Sequence, residues 1–476
     1  MGLSPPPGGG GVPPKAGRGI RGQPYHSRRM ESSAVPPADR RRSFSRWEIA
    51  PALLLALLAG ASILYGASRP GTYDIGLAYS GGAEAFRSGH PEAVFTWVST
   101  PFLAMLMALV TRVASADQAA MAYNLLNLAL AVGLIAVVWA KLRVRVEPAL
   151  WWVSLFAAVI FAPLSSSLWW KQFNLLALVL VVAGFALIRS HRSFEGETSP
   201  PVGRARQSLR AAHPLWGDFT GAALVGLSIS IKPVVFLLPL LLLLRRDTRR
   251  AGLYSLAWIA AFQGLAQIFL AYRARDLATL WPRAALANFS VKSLPETNGW
   301  ACAHENFSPT STLCRLVGSA ADWNLQRAAV FAIVVLFAVL LLRLLASGPG
   351  RSWDLFATAC LLSPMFSPIA WTHYQLFLAP MMLLLAVELP RDRTALPRWV
   401  LLAVAYLLAE LIWTPVGTLA DIAGGSQLFG LRFLPIKEMV LTAAQFSQYF
   451  VLAAAGAWFL ARESLRKSTG FAVLRV

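Results

Sequence analysis

The feature that most constrains this chain is a run of apolar residues that recurs about twelve times, most near the ~20 residues needed to cross a bilayer as a helix and several shorter. Candidate spans lie near 47–66, 119–140, 149–163, 173–188, 219–231, 233–244, 254–271, 328–346, 354–370, 374–389, 398–413 and 441–461. In hydrocarbon each backbone amide must find its partner inside the chain, so segments of this length are expected to be helical. The expectation is an all-α integral membrane protein, a polytopic bundle of about 12 transmembrane helices with extracytoplasmic loops. Pro101 to Ala114 is a shorter apolar stretch suited to an interfacial or re-entrant helix.

Composition agrees. Of 476 residues, 56% are hydrophobic and 14% charged, against about 25% charged in soluble domains. The formal charge of +20 falls in short runs between apolar segments rather than on one amphipathic face. That pattern belongs to membrane topology and not to nucleic-acid binding. The three cysteines form no CxxC pair, which leaves a zinc site or a thioredoxin-like centre without support.

Residues 1–46 are rich in Gly, Pro, Ser and Arg and read as a disordered basic tail, residues 47–462 as the transmembrane catalytic domain, and 463–476 as a second tail. Gly17 to Gly22 spells GRGIRG, but no strand precedes it and no βαβ unit surrounds it, so it is not a dinucleotide site. The first apolar segment begins near Trp47 and is long enough to span, so a cleaved signal peptide is not expected.

With the arginine-rich tail in the cytoplasm, Lys and Arg collect on that side in KLRVRVE, the 189–218 loop, RRDTRR, PRDRTALPR and the C-terminus. Both termini are then cytoplasmic and the protein a multi-pass plasma-membrane one. The opposite side receives residues 67–118, the SSSLWWKQFN turn, Lys232, the 272–327 loop, WTHY at 371–374 and the 414–440 loop.

Four polar groups gather on that outer side, where a polar residue beside lipid is costly unless it faces a cavity. Asp74 stands in RPGTYDIGLAYSGG, followed by Tyr79, Glu84 and Arg87. Lys171, Gln172 and Asn174 stand in WWKQFN, with Lys171 and Asn174 on one helical face if a helix starts there. Lys232 precedes Pro233 at a helix break. Trp371, His373 and Tyr374 follow two Ser-Pro breaks. Each has a plain reading too: a loop Asp as a cap, lysines snorkelling to headgroups, and His373 with Trp169, Trp170 and Trp371 as an interfacial belt. Their convergence on one face favours a site.

These segments, the TYD loop, WWKQFN, the IKP break and SPxxW(T)HYQ, resemble the polytopic transferases of glycosyltransferase family 87 within the GT-C superfamily, over most of residues 47–462. Such relatives more often read Gly-Gln-x-Asn at the second motif, where this chain has Lys171 in place of the Gly. The resemblance implies transfer of mannose or a related sugar from a polyprenyl phosphate carrier to a lipid or glycan acceptor at the extracytoplasmic face.

The residue chemistry is compatible. The chain has no DxD motif, P-loop or credible Rossmann site for a nucleotide sugar, and a phosphate leaving group needs little protonation. One base and a set of cations suffice, with no cofactor and no metal. Asp74 is the expected base, with Glu84 its main rival and Glu296 and Glu305 weaker ones. Lys171, Lys232 and His373 are the expected phosphate partners, and Gln172, Asn174, Trp371, Tyr374 and Glu84 the substrate contacts. The competing class is a secondary transporter or lipid flippase, which would favour inverted repeats and mid-span ionisable residues; neither is evident here. Cys302 and Cys314, in one outer loop, are expected to form a disulfide.

Overall fold

The computed structural model describes residues 49–68, 73–94, 100–142, 152, 156–157, 161–190, 214–275, 308–309, 323–347, 352–367, 370, 372–388, 400, 402–404, 406 and 449–461. Among these residues the structure is helical, with no strand. Cys302, Cys314, Glu296, Glu305 and Trp371 lie outside the described residues, as do the basic tails.

The helices run in order α1 (Ile49–Ser68), α2 (Tyr73–Ser88), α3 (Pro101–Val110), α4 (Ala116–Leu142), α5 (Ala162–Trp169) and α6 (Asn174–Ser190). They continue as α7 (Pro214–Ile231), α8 (Leu237–Leu244), α9 (Arg249–Ala274), α10 (Trp323–Ser347), α11 (Ser352–Phe366) and α12 (Ala379–Glu388), and α13 spans Tyr449–Ala461. Two stretches, Ala116–Val137 and Arg249–Ala274, are long and apolar enough to cross a bilayer. Their outer faces carry exposed Met121, Leu125, Val132 and Val137 on α4 and Leu253, Leu265 and Ile268 on α9, the side chains expected against lipid.

Three expectations change shape. The segments at 219–231 and 233–244 are one broken pair, Trp216–Ile231 and Pro233–Leu244, bent by 107°. Pro233 removes a backbone donor just after Lys232, and a short 3₁₀ turn, Pro233–Val235, carries the chain around the corner. The segment 67–118, expected on the outer side, is largely helical in its described residues, and Asp74 sits in the first turn of α2 instead of a loop. The first Ser-Pro does not break its helix: Pro364 lies inside α11, which runs two residues further.

The buried apolar residues form two clusters. The larger draws on α5 through α8 and α10 through α13; the smaller holds α2 and α3 against the start of α4 and the end of α9. Close backbone approach builds the smaller one. A Cβ on Gly82 would stand 2.5 Å from the Met107 carbonyl carbon, so α2 lies flush on α3 only because residue 82 is glycine. Gly184 and Gly221 play the same part between α6 and α7.

Candidate functional site

The two clusters meet at two chain turns. Phe173 belongs to the smaller cluster and Leu175 to the larger; Ile231 belongs to the smaller and Val234 to the larger. The residues between these pairs, Asn174 and Lys232, and Gln172 just before the first, are buried polar groups set at an apolar seam.

Two local devices hold the seam. After α5 the backbone amides of Trp170 and Gln172 donate to the Ser166 and Ser167 carbonyls, each at 3.0 Å, turning the chain sharply before α6 begins at Asn174. Thr100 caps α3 by accepting from the Leu103 amide at 3.2 Å, and its hydroxyl donates to the Ser230 carbonyl. That second bond ties α3 to the chain two residues before Lys232, and Gln263 of α9 donates to the same carbonyl at 3.3 Å.

Lys232 points its ammonium at Gln172, with Nζ to Oε1 3.4 Å, and lies 5.2 Å from the centroid of the Tyr374 ring. Tyr123 of α4 donates its hydroxyl to the Gln172 carbonyl at 2.9 Å and packs its ring 4.6 Å from that of Phe173. Asp74, half-buried in the first turn of α2, lies within electrostatic reach of both Lys232 and Tyr123. Burial pushes its carboxyl up to about 6, and the Lys232 charge works against that rise. Four of the residues singled out from the sequence, Asp74, Gln172, Lys232 and Tyr374, thus converge from α2, the turn before α6, the bend after α7 and the 3₁₀ segment Thr372–Leu378.

The others are placed differently. Lys171 is buried and occupies a turn with φ 51°, so it does not share a helical face with Asn174, the first residue of α6. Glycine takes that left-handed backbone without steric cost, which accounts physically for a glycine suiting this position. Burial holds the Lys171 amine below the usual lysine range. Asn174 is fully buried, and neither of its amide atoms has a hydrogen-bond partner. His373 falls in the segment Thr372–Leu378, with its side chain outside the described set.

Glu84 stands ten residues beyond Asp74 on α2, about 15 Å along the axis. It is engaged locally, accepting from Ser88 Oγ at 2.6 Å and pairing with Arg87, and the Ser88 hydroxyl, with Arg87, holds its carboxyl below the usual range. The structure does not bring it to Lys232.

Tyr123 was not among the sequence candidates, nor was Asn127, fully buried one turn on beside the Tyr123 hydroxyl. The signal was available: two polar side chains at i and i+4 inside an otherwise apolar span share one helical face.

A helical apolar frame that gathers a carboxylate, a lysine and amides at bent helix ends is that expected of a membrane protein, with a candidate site at a helix-end seam. Residues 97–368, more than half the chain, match the model of glycosyltransferase family 87, and the chain belongs to that family. It is accordingly a membrane glycosyltransferase. Lys171, Gln172, Asn174 and Lys232 fall inside the matched stretch, Asp74 and Glu84 precede it, and Trp371, His373 and Tyr374 follow it. Comparison with curated proteins and with solved structures gives no match.

Proposed function

We propose that this glycosyltransferase moves mannose or a related sugar from a polyprenyl phosphate carrier to a lipid or glycan acceptor at the extracytoplasmic face of the plasma membrane. The observation that carries the reading is the Lys232 ammonium set against Gln172 and the Tyr374 ring at the seam, with the Asp74 carboxylate within electrostatic reach. Sugar transfer from a phosphate ester needs that pair of functions. Asp74 takes the proton of the acceptor hydroxyl as its oxygen bonds to the anomeric carbon, and the bond from that carbon to the phosphate oxygen breaks on the opposite face. Configuration inverts, and the phosphate leaves with its negative charge.

Lys232 receives that charge. Gln172 and the Tyr374 ring place its ammonium at the seam before substrate enters, and a cation already near the developing charge stabilises it with little reorganisation. Lys171 and His373 are read as further phosphate partners. Asn174, with unpaired amide atoms, offers hydrogen bonds to sugar hydroxyls, and Trp371 completes the substrate contacts. With lysines facing the phosphate, the reaction as proposed uses no metal and no cofactor. Family membership favours this over the transporter or flippase reading.

The same reading keeps about twelve spans, both termini in the cytoplasm, and a Cys302–Cys314 disulfide in the outer loop. The deciding experiment supplies membranes with defined radiolabelled polyprenyl phosphate sugars and identifies the product by mass spectrometry. Transfer from a nucleotide sugar instead would overturn the donor assignment.

A further inference from the structure

Away from the seam, at the far end of α2, Arg87, Arg273 and Arg275 line a cavity of ≈ 960 Å³ together with Gln267 and Tyr272. We propose that this cleft binds a phosphate group at the membrane surface, separately from the transfer site.

Its position follows from helix length. The 26 residues of α9 rise about 39 Å, more than the ~30 Å of hydrocarbon. One or both ends of α9 are therefore expected at headgroup depth, where Arg273 and Arg275 would meet lipid phosphates. Arginines at a span end can simply snorkel into headgroups, and three further observations separate this cleft from that case.

The frame is fixed. Gly89, at φ 79°, lets the end of α2 press onto α9 so closely that a Cβ there would meet the Leu270 carbonyl oxygen and the Ala274 nitrogen at 2.5 Å. Arg273 is locked as well, its Nε donating to the Phe86 carbonyl and its guanidinium 4.2 Å from the centroid of the Phe86 ring.

The lining holds more cationic donors than the one neighbouring carboxylate, Glu84 on Arg87, can balance. Among the described residues it includes three guanidiniums, a tyrosine hydroxyl and the Gln267 amide, whose buried Nε2 has no hydrogen-bond partner, and no carboxylate. Glu84, paired with Arg87, is outside the lining. An anion with several acceptor oxygens answers such a donor set, and phosphate fits the fork of a guanidinium.

Finally, Arg275 ends α9 at φ 53°. Glycine is the usual residue at a left-handed helix end. An arginine here accepts backbone strain and sets a cation in the cleft.

The test uses the full chain in nanodiscs: wild type, the double variant Arg87→Gln/Arg275→Gln, and Arg275→Gly. Retention of phosphatidylglycerol over phosphatidylcholine is read by native mass spectrometry. Removing two cations should lower retention by about tenfold or more. Arg275→Gly should lower it partially with an unchanged or raised thermal midpoint, because glycine relieves the backbone while the cation is lost. Added inorganic phosphate separates the two sources. If it displaces the lipid, the site takes free phosphate; if it does not, the site reads a lipid headgroup; both results uphold a phosphate site. Retention by the double variant equal to wild type would overturn it.

Discussion

The Lys232 ammonium stands 3.4 Å from the Gln172 side-chain oxygen, joining two turns 60 residues apart. The contact is long for a hydrogen bond, which leaves the ammonium able to shift toward an entering phosphate without losing a strong partner. Lys232→Gln should therefore lower kcat/KM by about 10²-fold, the loss seen when one preorganised donor to developing charge is removed. Lys232→Arg should recover little, since a planar fork does not replace a point charge packed on a ring. Steady-state kinetics with a lipid-linked donor check this, and near-normal kcat/KM in Lys232→Gln would remove Lys232 from the site.

The rate should depend on pH through Asp74. Burial raises its carboxyl to about 6, so the base is protonated and inactive below that pH and free above it. The kcat/KM profile should rise through about pH 6 and then level, in contrast to the limb near 4 of an unperturbed carboxylate. A profile flat between pH 5 and 7 would contradict the assignment.

Tyr123→Phe keeps the ring on Phe173 and deletes the donor to the Gln172 carbonyl. The lost hydrogen bond should cost about 1 kcal/mol of stability. Because Gln172 holds Lys232, kcat/KM should also fall, by about tenfold. Thermal unfolding in detergent and donor kinetics measure the two effects, and a stability loss with unchanged kinetics would make Tyr123 purely structural.

Gly82→Ala drives a Cβ to 2.5 Å from the Met107 backbone and should part α2 from α3, at a cost of about 1–3 kcal/mol. Asp74 rides on the same helix, so transfer should fall with stability. Gly133→Ala is the control, because nothing lies within 4 Å of its Cβ and alanine is the better helix former. Equal stability in the two variants would show that the α2 and α3 contact is looser than described.

The helical, apolar character of the frame was legible because apolar length and proline are read directly from sequence; among the described residues two helices are long and apolar enough to cross a bilayer, or three with the bent pair. Lys232 before Pro233 announced the bend, and Asp74, Gln172 and Tyr374 were visible as polar residues at span ends. What was not legible depended on tertiary contact. Nothing local says that Tyr123, inside a span, reaches the carbonyl of Gln172, 49 residues away. Nor does a sequence motif announce that Lys171 takes a left-handed backbone, or that Glu84 is occupied by its neighbours Ser88 and Arg87. Helix starts were also hard to place, so Asp74 was read in a loop although it opens α2.

The assignment of the base rests on Asp74 against Glu84. Both are carboxylates of α2, but only Asp74 lies within the field of Lys232, and its raised carboxyl titrates near the pH at which a base works best. Glu84 is held below the usual range by Ser88 and Arg87, which makes it a weaker base in a place about 15 Å away along the helix. Asp74→Asn preserves shape and removes the proton acceptor, so turnover should fall by about 10²- to 10⁴-fold with normal membrane expression. Glu84→Gln should leave kcat within about threefold, below the 10² minimum expected of a lost base, while the rising pH limb stays near 6. The measurement is turnover and pH profile for both variants in parallel. Collapse in Glu84→Gln with near-normal turnover in Asp74→Asn would move the base to Glu84 and detach it from the Lys232 cluster.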